Sequence, residues 1–306
     1  MNSKIIVLVA AILFVACSAQ ADPIYYCQTT NNANQGPTPV GCSDSTNTLQ
    51  SGPPFGSTQV QAQAAPGGVG VAANAYAQLD PVTGPVNFSR SASAYASLTL
   101  NDLIISSTGN ASSVLVPMNY YAHLESFTRA MQVTGSGDVK ASAVANWGVY
   151  FGDNGNLGQA EENLQRVVHD YYGTFTDVTT VTGDFGSTDI NSLLAGEVLT
   201  STDFSLPVGS AFSMTLWAAA SVSAGWIDCF ACSNPTNAYI DIGGFNTFGL
   251  PTSGPIFNLP VGYTVNSLDG MIVNNQFVGV RSVPEPATLA LLSLGLAGLG
   301  FSRRKQ

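Results

Sequence analysis

Hydrophobic and polar residues alternate strictly along several stretches in the middle of the chain. Residues 91–100, 139–149 and 213–224 each place small apolar side chains at every second position. Side chains alternate between the two faces of a β-strand, so this pattern predicts antiparallel strands with one buried and one solvated face. The apolar positions are Ala92, Ala94, Ala96, Leu98 and Leu100, then Ala141, Ala143, Ala145 and Trp147, then Met214, Leu216, Ala218, Ala220 and Val222.

Turn-forming residues separate these stretches and set the predicted fold. Gly, Asn and Asp clusters recur at intervals, including Gly135-Ser136-Gly137 and Gly243-Gly244. The pattern predicts an all-β protein, an antiparallel and jelly-roll-like β-sandwich, over residues 67–281. Residues 157–168 are the one helix-like candidate, although the β-branched and aromatic residues that follow weaken it. Two final strands are expected around the turn Ser267-Leu268-Asp269-Gly270.

Alanine dominates the predicted inward faces, where larger residues are more usual. Small side chains allow two sheets to approach closely, or leave room that Trp147, Trp217 and Phe212 fill from opposite strands. A flat face of Ala, Ser and Thr is also suited to packing against further copies of the chain. The sequence leaves these alternatives open.

The N-terminus has the three parts of a secretory signal peptide. Lys4 supplies the positive charge, residues 5–16 form an apolar stretch, and Ala19-Gln20-Ala21 is a small-residue cleavage site. Residues 1–21 are therefore predicted to form a signal helix that is removed on export. Cys17 leaves a lipoprotein open as an alternative, although the residues before it fit a lipobox poorly.

Removal of the predicted signal peptide, which contains Cys17, leaves four cysteines in the mature chain. Residues 22–66 are rich in Asn, Gln, Thr, Pro and Gly, which predicts a polar lead-in ahead of the sandwich. Cysteines outside the cytoplasm are expected to pair, and four of them allow three connectivities. We favour the two local pairs, because each closes a short loop between turn-rich residues. They join Cys27 to Cys42 and Cys229 to Cys232.

The predicted mature body carries few charges, and most of them are acidic. Charged residues are 9% of the chain, against about 25% in an average domain. Between Asp22 and Val283 there are 18 Asp and Glu and five Lys and Arg, a net charge of −13. So acidic a surface disfavours nucleic acids and anionic lipid surfaces as partners.

Candidate catalytic residues are few and lack the spacing of known motifs. The two histidines are His123, near Ser126, and His169, beside Asp170. Adjacent strand residues point to opposite faces and do not act together directly. The pair Glu161-Glu162 fails as a glycosidase pair because sequence neighbours rarely flank a bond, and it is interpreted as surface charge. We expect no catalytic residue.

Metal and redox motifs are equally weak. Residues 153–156 (Asp-Asn-Gly-Asn) resemble a Ca²⁺ loop but lack the later bidentate Glu, so a plain turn is favoured. The Cys229–Cys232 spacing allows a redox pair, yet a basic neighbour that would lower a thiol pKa is missing. Zinc would require a histidine near a cysteine pair. We expect no metal and no cofactor.

The C-terminal end combines three physically distinct pieces. Val283 precedes Pro284-Glu285-Pro286, which is stiff and extended because each proline fixes its own φ. Residues 287–301 form an uncharged apolar run that is short for a spanning helix but can cross if its flanks lie at the interfaces. The positive-inside bias places the basic end in the cytoplasm and the body outside. That basic membrane stop consists of Arg303, Arg304 and Lys305.

These residues closely resemble the PEP-CTERM sorting signal of Gram-negative envelope proteins. A Val-Pro-Glu-Pro motif, a short Leu/Gly/Ala-rich helix and an Arg-rich end follow one another over residues 282–306. The resemblance implies recognition by an exosortase, a membrane cysteine transpeptidase that cuts near the motif. It also implies an inner-membrane intermediate, followed by release to the cell envelope or the exterior. Residues 257–277 are similar, more weakly, to the last hairpin of PEP-CTERM sandwich domains.

The combined expectation is an exported protein whose sandwich is a structural or adhesive component of the extracellular matrix. An extracellular polysaccharide is a candidate partner. A lectin-like, glycan-binding module is the first alternative, and it requires exposed aromatic residues beside Asp or Asn. The residues proposed for it are Tyr120, Tyr121, Trp226 and Tyr239. A hydrolase is the second alternative, and it requires a histidine in a cleft with a carboxylate within hydrogen-bond reach.

Overall fold

The computed structural model describes most of the body of the chain. The described residues are 23–29, 32–36, 42–50, 55–79, 86–124, 130–134, 138–184, 193, 195–229 and 236–279. Both predicted terminal helices, at residues 1–21 and 287–301, lie outside them. Within the described ranges, no helix has the length and apolar character needed to span a membrane.

The described residues form two large antiparallel sheets, which confirms the predicted all-β sandwich. Strands are numbered in chain order. Sheet A runs β11 (Thr174–Gly183), β10 (Gly158–Tyr171), β9 (Asp138–Phe151), β13 (Ala211–Cys229), β6 (Val86–Ser107), β1 (Ile24–Thr29), β2 (Asn32–Gly36), and β15 (Tyr263–Ser267) also pairs with β6. Sheet B runs β12 (Glu197–Pro207), β7 (Ser113–His123), β14 (Thr236–Gly249), β5 (Gly68–Leu79), β4 (Phe55–Ala65), β3 (Cys42–Gln50), and β8 (Ala130–Thr134) also pairs with β14. A short hairpin joins β16 (Ile272–Val273) to β17 (Gln276–Phe277).

The three strictly alternating stretches become the centre of sheet A. They lie in β6, β9 and β13, and β13 is hydrogen-bonded to both of the others. Every apolar residue predicted to face inward in these stretches is buried, whereas the serines between them are exposed or half-buried, apart from Ser97. The period-two prediction is therefore confirmed in these strands.

Alanine faces alanine across the sandwich, and the two sheets approach closely. The inward residues of β5 include Ala73, Ala75 and Ala77, all buried. Cα atoms of β5 lie within 8 Å of Cα atoms in both β6 and β13, whereas stacked sheets are usually about 10 Å apart. This is the first of the alternatives that the sequence left open.

The larger residues named for that gap divide between the two faces of sheet A. Trp147 and Phe212 are buried between the sheets, as predicted. Trp217 follows the inward residue Leu216 and therefore lies on the outer face, where it is half-buried. The prediction that Trp217 fills the core was wrong.

The predicted polar lead-in is part of both sheets. Strands β1 and β2 extend sheet A beyond β6, and β3 and β4 extend sheet B beyond β5. Tyr25 and Cys27 of β1 are fully buried. The sandwich therefore begins at Ile24, and the boundary predicted at residue 67 lies too late in the chain.

The helix-like candidate at residues 157–168 is strand β10, so that interpretation was wrong. Its buried residues are Ala160, Glu162, Leu164 and Val168, which are separated by multiples of two. The period of two was not evident in the sequence because polar side chains, Glu162 above all, occupy inward positions. The flanking strands β9 and β11 supply hydrogen bonds along the whole length of β10.

The final hairpin also differs from the prediction. Strand β15 pairs with the end of β6 and is followed by the predicted turn. The hairpin itself lies later, between β16 and β17, around Asn274 and Asn275. These two asparagines have φ angles of 50° and 65°, the left-handed values that a tight two-residue hairpin turn requires.

Candidate functional site

The aromatic residues that the sequence proposed for sugar stacking do not form a surface row. Tyr120 is fully buried, and its ring packs against Phe248 at a centroid distance of 5.1 Å. Tyr121 is half-buried, with its ring 6.3 Å from that of His123. The side chains of Trp226 and Tyr239 lie outside the described part of the structure. Tyr120 therefore belongs to the core.

A different aromatic group lies on the outer face of sheet A. Tyr26 of β1, Tyr95 of β6 and Trp217 of β13 come from three neighbouring strands, and all three are half-buried. We call these three residues, together with Gln28 and Asn146, the aromatic face. The planes of Tyr95 and Trp217 are 17° apart with centroids at 6.3 Å, and Tyr26 meets Tyr95 edge-on at 5.9 Å.

Strand register explains why these side chains meet. Tyr26 lies opposite Ser97 of β6, which in turn lies opposite Trp217. The next outward row runs from Gln28 through Tyr95 and Ala219 to Asn146. Side chains that face each other across a ladder, or diagonally, are within contact distance when they are aromatic.

Small residues open a depression inside the aromatic face. Ala219 lies between Tyr95 and Asn146 in its row, and Ser93 and Ser221 occupy the row beside it. The resulting depression has a volume of about 260 Å³. Tyr95, Asn146, Val144 and Gln28 contribute to its lining, and none of its described lining residues is charged.

Hydrogen-bonding groups surround the rings. The Tyr26 hydroxyl donates to Gln28 Oε1 at 2.9 Å, and the hydroxyls of Thr99 and Thr215 are 2.8 Å apart. Asn146 Oδ1 is buried and accepts no hydrogen bond from any described residue. The Asn146 residue also lines the depression, so its side chain lies beside any ligand held there.

The side chains of the aromatic face are all uncharged types. Burial, the largest effect, raises the pKa of the Tyr95 hydroxyl above its ordinary value of 10.0, against an opposing hydrogen bond with Ser97. The phenol is therefore neutral at every physiological pH. The surface presents two nearly parallel rings, amides and hydroxyls, which is the chemistry of a site for a neutral polar ligand.

Gly148 leaves the space that the indole of Trp217 occupies. A Cβ atom at Gly148 would lie 2.9 Å from Trp217 Nε1 and 2.6 Å from the carbonyl oxygen of Ala160. Gly148 is directly opposite Trp217 in the ladder. The indole therefore extends across the glycine of the next strand.

A cross-strand pair positions His169. His169 Nε2 is 2.6 Å from Asp138 Oδ1, so a carboxylate lies within hydrogen-bond reach. Asp170 instead accepts a hydrogen bond from the Gly173 amide in the β10–β11 turn. No described hydroxyl or thiol is hydrogen-bonded to the His169 ring, and Ser126 lies outside the described residues. A nucleophile, histidine and acid arrangement is thus not assembled among the described side chains.

The adjacent acids point to opposite faces, as the sequence argument required. Glu161 is exposed on the outer face of sheet A, whereas Glu162 is 1% exposed and faces inward. The interpretation of both as surface charge is therefore wrong for Glu162. Their opposite orientations exclude joint action on one glycosidic bond.

The proposed calcium loop and the cysteines are only partly described. Asp153–Gly155 form a single 3₁₀ turn, and the described residues contain no group of three or more His, Cys, Asp or Glu placed to hold a metal ion. Cys27 is buried and disulfide-bonded. The side chains of Cys42 and Cys229, and all of Cys232, lie outside the described part, so the two predicted pairs stay predictions.

The sorting residues also lie outside the described part, so their evidence comes from comparison. Residues 282–305 match the family model of the PEP-CTERM protein-sorting motif. The match includes Val283, Pro284, Glu285, Pro286 and the basic stop at residues 303–305. It confirms the resemblance and implies processing by an exosortase, export, a membrane-anchored intermediate, and a final place in the envelope or outside the cell. No curated protein and no solved structure matches the chain.

Proposed function

We propose that this protein is a structural or adhesive component of the extracellular matrix of a Gram-negative bacterium, delivered by an exosortase. The sorting motif at residues 282–305 is the observation that carries this proposal. A signal peptide at residues 1–21 and disulfides in the body are the features expected of such an exported chain. The body then acts through its surfaces after release from the inner membrane.

The outer edge of sheet A supports a role in contacts between molecules. Strand β11 is solvent-exposed along nearly its whole length, on both of its faces. Phe175 and Val178 on this strand, and Tyr171 and Tyr172 beside it, are each more than half exposed. Edge strands of monomeric proteins are usually covered or charged, because unpaired strands and apolar side chains invite association.

A hydrolase is the weaker candidate. The His169–Asp138 pair satisfies the requirement for a carboxylate within hydrogen-bond reach. However, His169 does not line the depression in the aromatic face. A neutral polysaccharide-binding role is the stronger second candidate, because the aromatic face offers stacked rings beside an amide and hydroxyls.

The proposal is tested by following one substitution in the sorting motif through the cell. We expect wild-type protein to be trimmed near residues 283–286 and to be recovered from the matrix. Glu285→Ala should give full-length precursor in the inner membrane, because it removes the only charge of the motif while keeping its two stiffening prolines. The measurements are cell fractionation and mass spectrometry of the mature C-terminus.

Glu161→Ala is the matched control, since it removes an exposed glutamate of the body. This variant should be trimmed and released like the wild type. A strain without the protein should also retain less matrix around its cells, and the Glu285→Ala strain should share that defect. The proposal fails if Glu285→Ala protein is processed as efficiently as wild type, or if the matrix is unchanged in both strains.

A further inference from the structure

The aromatic face has features that the matrix role alone does not require. The Tyr95 ring borders a depression that Ala219 also lines, and the Trp217 ring lies nearly parallel to Tyr95 beside it. The rings come from different strands and the floor is alanine, so the shape depends on the register of the folded sheet. The other outward residues of β6 and β13 are mostly Ser and Thr, whose side chains are too small to form such a wall.

We propose that the aromatic face binds a neutral polysaccharide, with one sugar ring packed on Tyr95 in the depression, its hydroxyls beside the Asn146 side chain, and the chain continuing over Trp217. This inference rests on the proposed export to the matrix and names the partner that the body meets there. The C–H face of a pyranose is apolar and packs on aromatic rings, while its hydroxyls point outward to polar neighbours. Both kinds of group are present within one depression.

Charge argues for a neutral rather than an acidic glycan. The described lining of the depression contains no charged side chain, and the mature body as a whole has a net charge of −13. An anionic polysaccharide would approach a surface of its own sign without a compensating cation. A neutral chain meets no such repulsion.

Size and composition argue against a protein partner. Protein interfaces are enriched in Arg, Met and large aromatic residues and depleted in Ser and Ala. The depression mixes a single large ring, Tyr95, with Ser93, Ser221 and Ala219 on its floor and walls. Its volume of about 260 Å³ is small, below the usual range for drug-sized ligands. Such a shallow site suits one ring of a chain that continues over neighbouring strands.

The strand order gives the length of surface that a polysaccharide lying across the strands would contact. Tyr26, Ser97, Trp217 and Gly148 form a row across β1, β6, β13 and β9. This row spans about 14 Å at the usual strand separation, so several sugar rings fit if the polysaccharide crosses the strands. Gln28 at one end and Asn146 near the other then lie beside the same chain.

Electrophoresis of the full mature protein in native gels tests the proposal. The gels contain hydroxyethyl cellulose, dextran or galactomannan as neutral probes, or alginate as an anionic one. We expect at least one neutral probe to slow the wild type and alginate to have no effect. Trp217→Ala should weaken binding at least tenfold, because it removes one of the two rings. Leu115→Ala, which removes an exposed apolar side chain from the outer face of sheet B, should stay within twofold.

A second variant distinguishes polysaccharide binding from nonspecific apolar association. Ala219→Phe fills the depression from the outer face, where no core packing is disturbed, so it should abolish polysaccharide binding at unchanged melting temperature. If the face bound a protein through apolar contact, the added ring would preserve or strengthen that association. Wild-type migration unaffected by every neutral probe, retardation by alginate alone, or Trp217→Ala and Ala219→Phe variants that bind as well as the wild type would each overturn the inference.

The result of the polysaccharide-binding experiment does not depend on whether the protein is sorted by the C-terminal motif. Trp217→Ala protein should still be trimmed at its C-terminus and released, since the sorting motif is far along the chain from the face. A failure of Glu285→Ala to block processing would remove the proposed delivery route and leave the binding result intact.

Discussion

The bidentate pair between Arg166 and Asp177 fastens the edge strand β11 to β10. Arg166 Nε donates to Asp177 Oδ1 at 2.9 Å, and Nη2 donates to Oδ2 at 2.6 Å. These hydrogen bonds are the largest cause of a pKa of Asp177 below its ordinary value of 3.8. Charge-assisted bidentate pairs are the strongest kind of surface ion pair, so this one holds an edge that few other side chains cover.

The lowered pKa of Asp177 predicts a pH-dependent contribution to stability. A carboxylate whose pKa is lower in the folded state stabilises the fold above its unfolded pKa of about 3.9 and loses this effect as pH falls through the folded value. Because the Asp177 side chain is 35% exposed, the contribution should be below about 1 kcal/mol. Asp177→Asn should therefore lower the free energy of unfolding at pH 7, and the difference from wild type should shrink below pH 4.

Urea unfolding at several pH values measures this difference. Asp203→Asn, at an exposed residue of β12 that is in no ion pair with a described residue, serves as the control and should match wild type throughout. A difference between Asp177→Asn and wild type that grows on acidification would contradict the assignment.

At the scale of elements, the close approach of the sheets depends on alanine in the central strands. Ala96 of β6 is fully buried, and β6 lies within 8 Å of β5 across the interface. A larger side chain there has no space to enter, because protein interiors are close-packed. Ala96→Leu should lower the free energy of unfolding by about 1–3 kcal/mol through overpacking.

Ser91→Leu is the matched control for this prediction. Ser91 is an exposed residue of the same strand, so the same side chain should change stability by less than about 0.5 kcal/mol there. Thermal or chemical unfolding of both variants gives the comparison. Ala96→Leu with wild-type stability would mean that the sheets separate easily, against the close packing described above.

The strands that were predicted correctly from the sequence are those whose inward positions carry apolar residues. In β6, β9 and β13 every inward residue of the alternating stretches is apolar, so the pattern alone identified them. Strand β10 was missed because Glu162 occupies an inward position, and β3 was missed because its sequence, CSDSTNTLQ, is almost entirely polar. Local sequence does not reveal a strand whose formation depends on pairing with its neighbours.

The aromatic face could not be predicted from the sequence either, because its residues come from different strands. Tyr95 was visible as a ring on the polar side of an alternating strand, which was the one signal available. Tyr26 and Trp217 are 69 and 122 residues away in sequence, and only the ladder register brings them beside it. A site assembled across strands becomes predictable only once the strand order is known.

At the scale of the whole molecule, β1 links the N-terminal residues to the centre of the sandwich. Cys27 is fully buried and disulfide-bonded, and β1 of sheet A contacts β3 of sheet B. Cys42, the predicted partner, is the first residue of β3. If the predicted pair forms, the bond joins the two sheets, and its role is larger than that of a staple within a separate lead-in.

The exported protein is therefore predicted to contain two disulfides and no free thiol. Cys27→Ser and Cys42→Ser should each destabilise the fold by about 3 kcal/mol, the value typical of a closed loop of about 15 residues. The Cys229→Ser, Cys232→Ser double variant should cost less, because its loop is shorter. Thiol labelling of denatured, unreduced protein should detect no reactive cysteine, and urea unfolding measures the stabilities. Labelling of the wild type at two or more positions, or failure of Cys42→Ser to expose a reactive Cys27 thiol, would rule out the predicted connectivity and with it a covalent link between the sheets.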